Sequence, residues 1–490
     1  MKQFVTISLA FLGIALLGAC RKDVINVLPI DQIPVSAAFQ NMNDINNAVN
    51  GVYGSWQARR SHYVSALISD EVRLGTGSEY RNVGNILFNW QHVSDSQDWR
   101  DAETGGIWTN LYFVIDRANR VLELMVPVPA TNPTDVALKT RYRGEMLAIR
   151  GMAHLELLRN FARTAQYTPG DTGIVIQREY VKPEMIATYK PRRSTQAQVI
   201  AFIDSSLSEA RSLIPTTFTD ISRITRNAVI ASQARTALHA GNWQKVIDSA
   251  TAVINAVPIT NRANFPLIWT SRICPSNLEV IWKLNVTSAN IGNAVGSLWQ
   301  DLNGSVQAFP ANKLLNTYDQ TNDIRYSTYF KTGQTSNGGP TRTIIGKYGY
   351  VFYPPNVPAE NFEYDIKMIR TSELILARAE AYAELNNLPA ANTDLALVRT
   401  NRINGYVHTA ITDKQTLIDA IILERYKELC FEAQRYYDLR RRGLTINRDL
   451  SDVVNNVQIQ TLPPSNSKYI LPIPQQEVFA NPNVGQNPGY

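Results

Sequence analysis

The stretch that decides the fold is Thr371-Ser-Glu-Leu-Ile-Leu-Ala-Arg-Ala-Glu-Ala-Tyr-Ala-Glu-Leu385, then Asn386-Asn387, then Leu388-Pro-Ala-Ala-Asn-Thr-Asp-Leu-Ala-Leu-Val-Arg-Thr-Asn-Arg402. It reads as two helices, 371–385 and 389–402, around a two-residue turn. Pro389 fits the first turn of the second helix, where its missing N–H costs nothing. A second hairpin, Asn227 to Ala240 and Trp243 to Ile254 around Gly241-Asn242, can be laid on the first with a shift of about 145 residues. Ala234 then falls on Ala379, Leu238 on Ala383, Gly241 on Asn386 and Trp243 on Leu388. Small residues at facing positions let antiparallel helices approach closely, and the turn needs a residue tolerant of left-handed geometry.

That is tetratricopeptide-like logic, degenerate in sequence. Working outward, Ile45, Val49, Val52 and Trp56 recur at helical spacing over 41–56, and Tyr112, Ile115, Asn119 and Leu122 do so over 109–125. Tyr142, Met146, Ile149, Ala153, Leu157 and Phe161 form one stripe over 141–163, with 196–213 as a partner helix. A last long helix is expected from Asp413 to Arg442, its apolar side supplied by Ile418, Ile421, Ile422, Tyr426, Leu429 and Phe431. Between these lie long irregular insertions at 60–108, 164–195, 258–370 and 444–490, and loops of that length are usually functional. Residues 342–353 alternate enough to suggest a short strand. The expected fold is mainly α, a superhelix of helical hairpins with long insertions and a few short strands.

The chain has 490 residues, 44% hydrophobic and 18% charged, which excludes wholesale disorder. A formal charge of +6 is mild, and outside Arg440-Arg441-Arg442 the basic residues are scattered, so nothing calls for nucleic acid. Met1-Lys2-Gln3, an apolar run from Phe4 to Gly18 and the small pair Gly18-Ala19 follow signal-peptide grammar. The run is too short for a hydrocarbon core that needs roughly twenty residues. Leu17-Gly18-Ala19-Cys20 resembles the lipobox of bacterial lipoproteins, in which the cysteine is lipidated and the chain cut before it. Residues 1–19 are therefore read as a signal peptide, Cys20 as the lipid attachment and 20–35, with Pro29 and Pro34, as a tether. Residues 36–490 are read as one domain, in parts 36–257, 258–370 and 371–490. Cys274 and Cys430 are expected to be free thiols.

Catalysis finds no foothold. His62, His92, His154, His239 and His408 form no His-Glu-x-x-His pair, and there is no Gly-x-Ser-x-Gly elbow, P-loop or dinucleotide fingerprint. Carboxylate pairs such as Asp95/Asp98 and Glu424/Glu428 are read as structural, Glu424 and Glu428 belonging to ion pairs with Arg425 and Lys427. Asp319-Gln-Thr-Asn-Asp323 could offer oxygens to calcium, but its spacing is not that of an EF-hand loop. No cofactor or metal is expected.

Several segments resemble the RagB/SusD family of surface lipoproteins that deliver glycans or peptides to TonB-dependent transporters. They are Ser36 to Tyr53, Ile107 to Asn119, Gly144 to Phe161, the run Glu424-Arg-Tyr-Lys-Glu-Leu-Cys-Phe-Glu-Ala-Gln-Arg-Tyr-Tyr-Asp-Leu-Arg-Arg441, and the tail Leu471 to Tyr490. Departures are Ala433, where the family often has Gly, and Arg21-Lys22-Asp23-Val24, which only partly resembles its surface-export signals. The resemblance implies four tetratricopeptide-like units and a lid on a SusC-like barrel, with ligand held between them. It places the chain at the outer membrane on a lipid anchor and carries no catalytic residues.

A glycan binder stacks sugar rings on aromatics and grips hydroxyls with amides, carboxylates or Arg. Trp99, in a stretch too polar to bury much, is the first candidate platform, with Asp98, Arg100 and Asp101 as hydroxyl ligands; loop packing is its alternative. Tyr80-Arg81 and Trp299, inside polar 285–305, are secondary candidates. Trp90, Trp108 and Trp243 read as packing residues. Arg435, Asp438, Arg440 and Arg441 read as a solvated helix end, or as a contact with the transporter. The expected function is non-catalytic binding of a nutrient, an oligo- or polysaccharide in preference to a peptide. The competing class is a scaffold lipoprotein without a small ligand; an enzyme such as a glycosidase comes third.

Overall fold

Why these residues make helices is clearest at the paired turns. The computed structural model describes residues 38–75, 84–94, 102–353, 362–453 and 459–490. Its long helices are α1 (Met42–Ser55), α2 (Ala58–Ile68), α3 (Ala102–Leu124), α4 (Pro133–Phe161), α5 (Gln196–Leu213), α6 (Arg226–Ala240), α7 (Trp243–Ala256), α8 (Thr371–Glu384), α9 (Leu388–Thr400), α10 (Lys414–Glu428), α11 (Arg435–Arg441) and the short α12 (Gln475–Ala480). Gly241 and Asn386 both take left-handed φ, +69° and +61°. The next residue repeats the geometry in each turn: Asn242 N–H donates to Ala237 O and Asn387 N–H to Tyr382 O, 2.9 and 2.8 Å. Each of these asparagines then caps the following helix with its side chain. The 145-residue shift thus maps turn on turn.

Contacts run α3–α4–α5–α6–α7–α8, with α9 and α10 both packed on α8. Close approach depends on small residues: a Cβ at Gly144 of α4 would lie 2.8 Å from Ile214 and 3.2 Å from the Ala210 carbonyl at the end of α5. The predicted stripes are buried, among them Ile45, Val49, Ile115, Met146, Ile149 and Phe161. A separate apolar core joins α8, α9 and α10 through Ile375, Leu395, Val398 and Ile421, each worth roughly 1.5–3 kcal/mol of transfer free energy. The strands are short antiparallel pairs: β1 (Val72–Arg73) with β3 (Phe309–Pro310), β2 (Val280–Leu284) with β6 (Ile366–Arg370), β4 (Phe330–Gln334) with β5 (Thr341–Ile345), and β7 (Ile446–Asn447) with β8 (Thr461–Leu462). Of the strand expected at 342–353, only Thr341–Ile345 pairs.

Three expectations need correction. Helix α2 lies in the 60–108 segment read as irregular. Residues 62–68 are all buried, so no polar face marks a period. Helix α4 begins at Pro133, with Asn132 capping Asp135 N–H at 2.9 Å, earlier than the apolar stripe indicated. The single helix expected over 413–442 is two helices, α10 and α11, because Phe431 and Ala433 take φ of +60° and +57°. The break turns Phe431 into the core against Trp299 and Phe330, 5.6 and 6.2 Å between ring centroids. Ala433 carries the strain that glycine avoids, about 1–2 kcal/mol, against an entropic cost of glycine of about 0.5–1 kcal/mol. Ala433→Gly should therefore raise stability slightly, by about 0.5–1 kcal/mol, read as a higher urea midpoint at unchanged slope.

A buried ionic network fastens the 258–370 insertion to the helical array. Glu428, at the end of α10, takes Arg325 Nη1 at 3.1 Å on one oxygen and Arg370 Nη1 and Arg402 Nη2, both at 3.0 Å, on the other. Arg370 and Arg402 also hold Glu279, at 2.5 and 2.8 Å, and Arg325 holds Asp323 and Glu424. Glu424 and Glu428 are ion-paired, as read, but not with Arg425 and Lys427. Glu424 takes Arg325 and Arg399, Arg425 pairs with Asp438 and Lys427 with Asp323.

The 435–441 cluster is not a solvated helix end and is not available as a docking patch. Arg435 forms a bidentate pair with Asp70, Arg441 pairs with Glu380, and Arg440, 3% exposed, donates to the carbonyls of Arg159, Asn160 and Ala162. The tail is stitched the same way: Asn487 donates to Phe161 O and Leu471 O, and the Tyr490 hydroxyl to Ile470 O.

Candidate functional site

The join between α1 and α2 is held open by two asparagines. Asn110 of α3 accepts Gln57 N–H at 2.9 Å and donates to Ser55 O at 2.8 Å. Asn293 of the insertion accepts Arg59 N–H at 3.2 Å and donates to Trp56 O at 3.0 Å. Beside this join lies an open concavity of about 380 Å³ lined by Gln57, Arg59, Arg60, Asn290, Asn293 and neighbouring small residues. Arg60 Nε donates to Gln57 Oε1 at 2.6 Å.

A second concavity, about 240 Å³, adjoins it, with Asn50, Tyr53, Arg223, Asn285, Thr287 and Asn290 in its walls. Arg223 is fixed from behind: Nε donates to Glu145 Oε2 at 2.7 Å and Nη1 to Asn50 Oδ1 at 3.0 Å. The Tyr53 hydroxyl donates to the same Glu145 oxygen at 2.6 Å and accepts Ile224 N–H at 2.8 Å. Burial pushes the Glu145 carboxyl above its usual range, against the pull of Arg223. Turn 285–290 is braced by two hydrogen bonds, Thr287 N–H to Asn290 Oδ1 and Asn290 Nδ2 to Asn285 O, 2.6 and 2.9 Å.

A third concavity, about 780 Å³, is walled by 219–222, 272–276, 285–288 and Glu363. At its base Lys283 Nζ donates to Asp365 Oδ2 at 2.5 Å, and that oxygen also accepts Cys274 N–H at 2.9 Å. The whole face offers amides, hydroxyls and guanidinium groups, donors and acceptors suited to a hydroxyl-rich ligand.

On another face of α3 sits a pocket of about 340 Å³ with Trp108, Tyr112, Tyr189, Pro191 and Glu477 in its walls. The Trp108 indole N–H donates to Glu477 at 3.4 Å and the Tyr112 hydroxyl to Val175 O at 2.9 Å. Trp108 is only 3% exposed and Trp90 4%, which agrees with their reading as packing residues.

Cys20, Tyr80, Arg81, Asp98, Trp99, Arg100 and Asp101 lie outside the described residues. Ser94, the last described residue before the segment that holds the last four, accepts Gln475 N–H on its carbonyl at 3.0 Å. The Arg60 guanidinium fills the space that a side chain on Gly106 would need, so α3 packs directly against Arg60. Trp299 is corrected. It is 1% exposed and packed on Phe431, so its ring cannot take a ligand from solvent. From the window 285–305 the polar side chains in the walls of the first two concavities are Asn285, Asn290 and Asn293, with Thr287. The calcium alternative at 319–323 has no support: Asp319 accepts Thr321 and Asn322 N–H, and Asp323 holds Arg325. Among the described residues no cluster of His, Cys, Asp or Glu could hold a metal. Cys274 and Cys430 are free and buried.

Residues 288–490 match a family model described as the SusD family, and residues 32–238 match one described as "Starch-binding associating with outer membrane". SusD-like protein P38 of Formosa agariphila is 20% identical, with all of both chains aligned. Among solved structures, a SusD superfamily protein from Bacteroides vulgatus superposes with a TM-score of 0.77 at 22% identity, over 92% of this chain and all of that one. A laminarin-binding SusD-like protein superposes at 0.68 and 19% identity, over 92% and 100%. The two matches together take in residues 32–238 and 288–490, and the chain belongs to the SusD-like, or RagB/SusD, family.

Proposed function

We propose that this protein is a non-catalytic lipoprotein of the outer membrane. In this reading it binds an oligo- or polysaccharide along the face between α1–α2 and the 258–370 insertion, and passes it unchanged to a SusC-like TonB-dependent barrel. The observation that carries the reading is the run of open concavities lined by amides and a braced Arg223. Glycan is preferred to peptide because one of the two matching family models is described as starch-binding and one similar structure as laminarin-binding. Trp99 would supply the stacking ring, with Asp98, Arg100 and Asp101 beside it, and Tyr80-Arg81 a second contact. Lipid on Cys20 would hold the chain at the membrane, since two or more acyl chains anchor a protein stably.

The test is affinity electrophoresis of the detergent-solubilised full chain through gels holding laminarin or starch. Retardation is expected, and Trp99→Ala should weaken it about tenfold, the effect of losing a hot-spot aromatic. A scaffold without a small ligand would run alike in every gel, with or without Trp99. In cell fractionation, Cys20→Ser should move the chain out of the membrane fraction.

A further inference from the structure

The pocket beside Trp108 has no part in the proposed glycan site, and its chemistry is of another kind. Trp108, Tyr112 and Asp116 line it from α3 at four-residue spacing. Asn110, which serves the join between α1 and α2, lies on the opposite side of the same helix. The volume, about 340 Å³, falls in the range of small-ligand pockets, roughly 300–1,000 Å³. Val175, Ile186, Tyr189 and Pro191 complete its apolar walls. These walls are pinned in advance. The Tyr112 hydroxyl donates to Val175 O at 2.9 Å, Asn119 Nδ2 to Gln177 O and Glu179 O at 3.2 and 3.1 Å, and Asn481 Nδ2 to Pro191 O at 2.8 Å.

The same bonds spend most of the polar groups in the lining, and Lys190 Nζ is spent on Ala480 O. A hydroxyl-rich ligand would find few partners left. Asp116 is paired with Arg120 at 2.7 Å. Glu477 is different: its carboxylate takes only the long Trp108 N–H bond, 3.4 Å, and forms no ion pair among the described residues. A half-exposed carboxylate set among aromatic rings attracts a cation twice over, by charge and by the ring faces. Around the mouth Met185, Ile186 and Phe479 are exposed, an apolar rim of the kind that partner proteins cover.

We infer that this pocket is a docking point for a partner protein, which seats an arginine side chain against Glu477 and lays apolar neighbours on the 185–186 and 479 rim. Arginine suits it better than lysine, because a planar guanidinium both stacks on rings and pairs with a carboxylate through two hydrogen bonds. Such an anchor in an aromatic pocket is the usual form of an interface hot spot. Since Trp108 and Asn110 point to opposite sides of α3, this partner and a ligand at the glycan site can be bound together.

Fluorescence anisotropy of a labelled Leu-Arg-Leu peptide, blocked at both ends, tests this on the full solubilised chain, with the citrulline peptide as its uncharged isostere. The arginine peptide should bind at least about tenfold more tightly than the citrulline one. Glu477→Gln keeps an acceptor for the Trp108 N–H and should bring the two peptides within about twofold of each other, with the melting curve unchanged. Ala480→Trp, at an exposed position in the lining, should fill the pocket and weaken both peptides. Absence of binding, equal affinity for the two peptides, or an arginine preference that survives Glu477→Gln overturns the inference. Displacement of the peptide by laminari- or malto-oligosaccharides also overturns it, by making the pocket part of a glycan site. Failure of the wild type to be retarded in laminarin or starch gels counts against the glycan reading alone and leaves the docking point standing.

Discussion

Glu428→Gln should cost about 3–5 kcal/mol of folding free energy, the penalty for removing one member of a buried ionic cluster. Typical stabilities are about 5–15 kcal/mol, so the variant should unfold at much lower urea or fail to accumulate. The size follows from what is left behind. Arg325, Arg370 and Arg402 are fully buried and converge on this one carboxylate, and a neutral amide cannot answer three guanidinium groups. The pH dependence carries a second signature. Burial alone would raise the Glu428 pKa, but Arg402, Arg370 and Arg325 outweigh it and hold the carboxyl well below the usual range. A depressed folded-state pKa contributes stability above the unfolded value of about 4.3, lost as pH falls toward the folded one. The wild type should weaken steeply below about pH 4.5, and the variant less steeply. Urea titrations at neutral and acid pH decide the matter: a loss under about 1 kcal/mol would mean the cluster is not the fastening described.

Glu71→Gln should act in the opposite sense. Glu71 is buried beside Asp70, and one of its oxygens accepts Phe431 N–H at 2.8 Å while the other has no partner. Burial first, then the Asp70 charge, push its pKa up to about 8. Here the folded value lies above the unfolded one, so the stabilisation is complete below about pH 4.5 and disappears as pH rises toward 8. At about 1.4 kcal/mol per pH unit, the wild type should lose on the order of 5 kcal/mol across that window through this group alone. Glutamine keeps the acceptor for Phe431 and does not titrate. The stability difference, variant minus wild type, should therefore grow between pH 5 and pH 8. Parallel pH profiles would show that Glu71 is ionised in the folded protein.

The hairpins were legible because their signal is local. Ala234, Ala379, Gly241 and Asn386 declare a close-packed turn within a few residues of one another, and the structure repeats it hydrogen bond for hydrogen bond. Helix α2 was not legible, since from His62 onward it is buried on every side and has no polar face to reveal its period. The break after Glu428 was hidden for another reason: its left-handed residues are Phe431 and Ala433, not glycine. The clamp at 435–441 looked solvated because its partners, Asp70, Glu380 and the carbonyls near Phe161, are remote in sequence.

The candidate site was legible only in outline. The polar window around residue 290 is visible in the sequence, but its largest ring, Trp299, belongs to the core through Phe431. Asn50, Arg59, Arg223, Asn285 and Asn293 carry no common motif. They become neighbours only when α1, α2 and the insertion meet.

The latch formed by residues 481–490 sets an order of events. Asn487 closes on Phe161, Arg440 on the end of α4, and Tyr426 on Asp70, so the first half of the molecule cannot finish its own interior before the last half is present. A polypeptide delivered amino end first must wait with that interior unsealed, and closing contacts of such long sequence separation is slow. Loss of even its last few residues would leave a molecule without its final buckle.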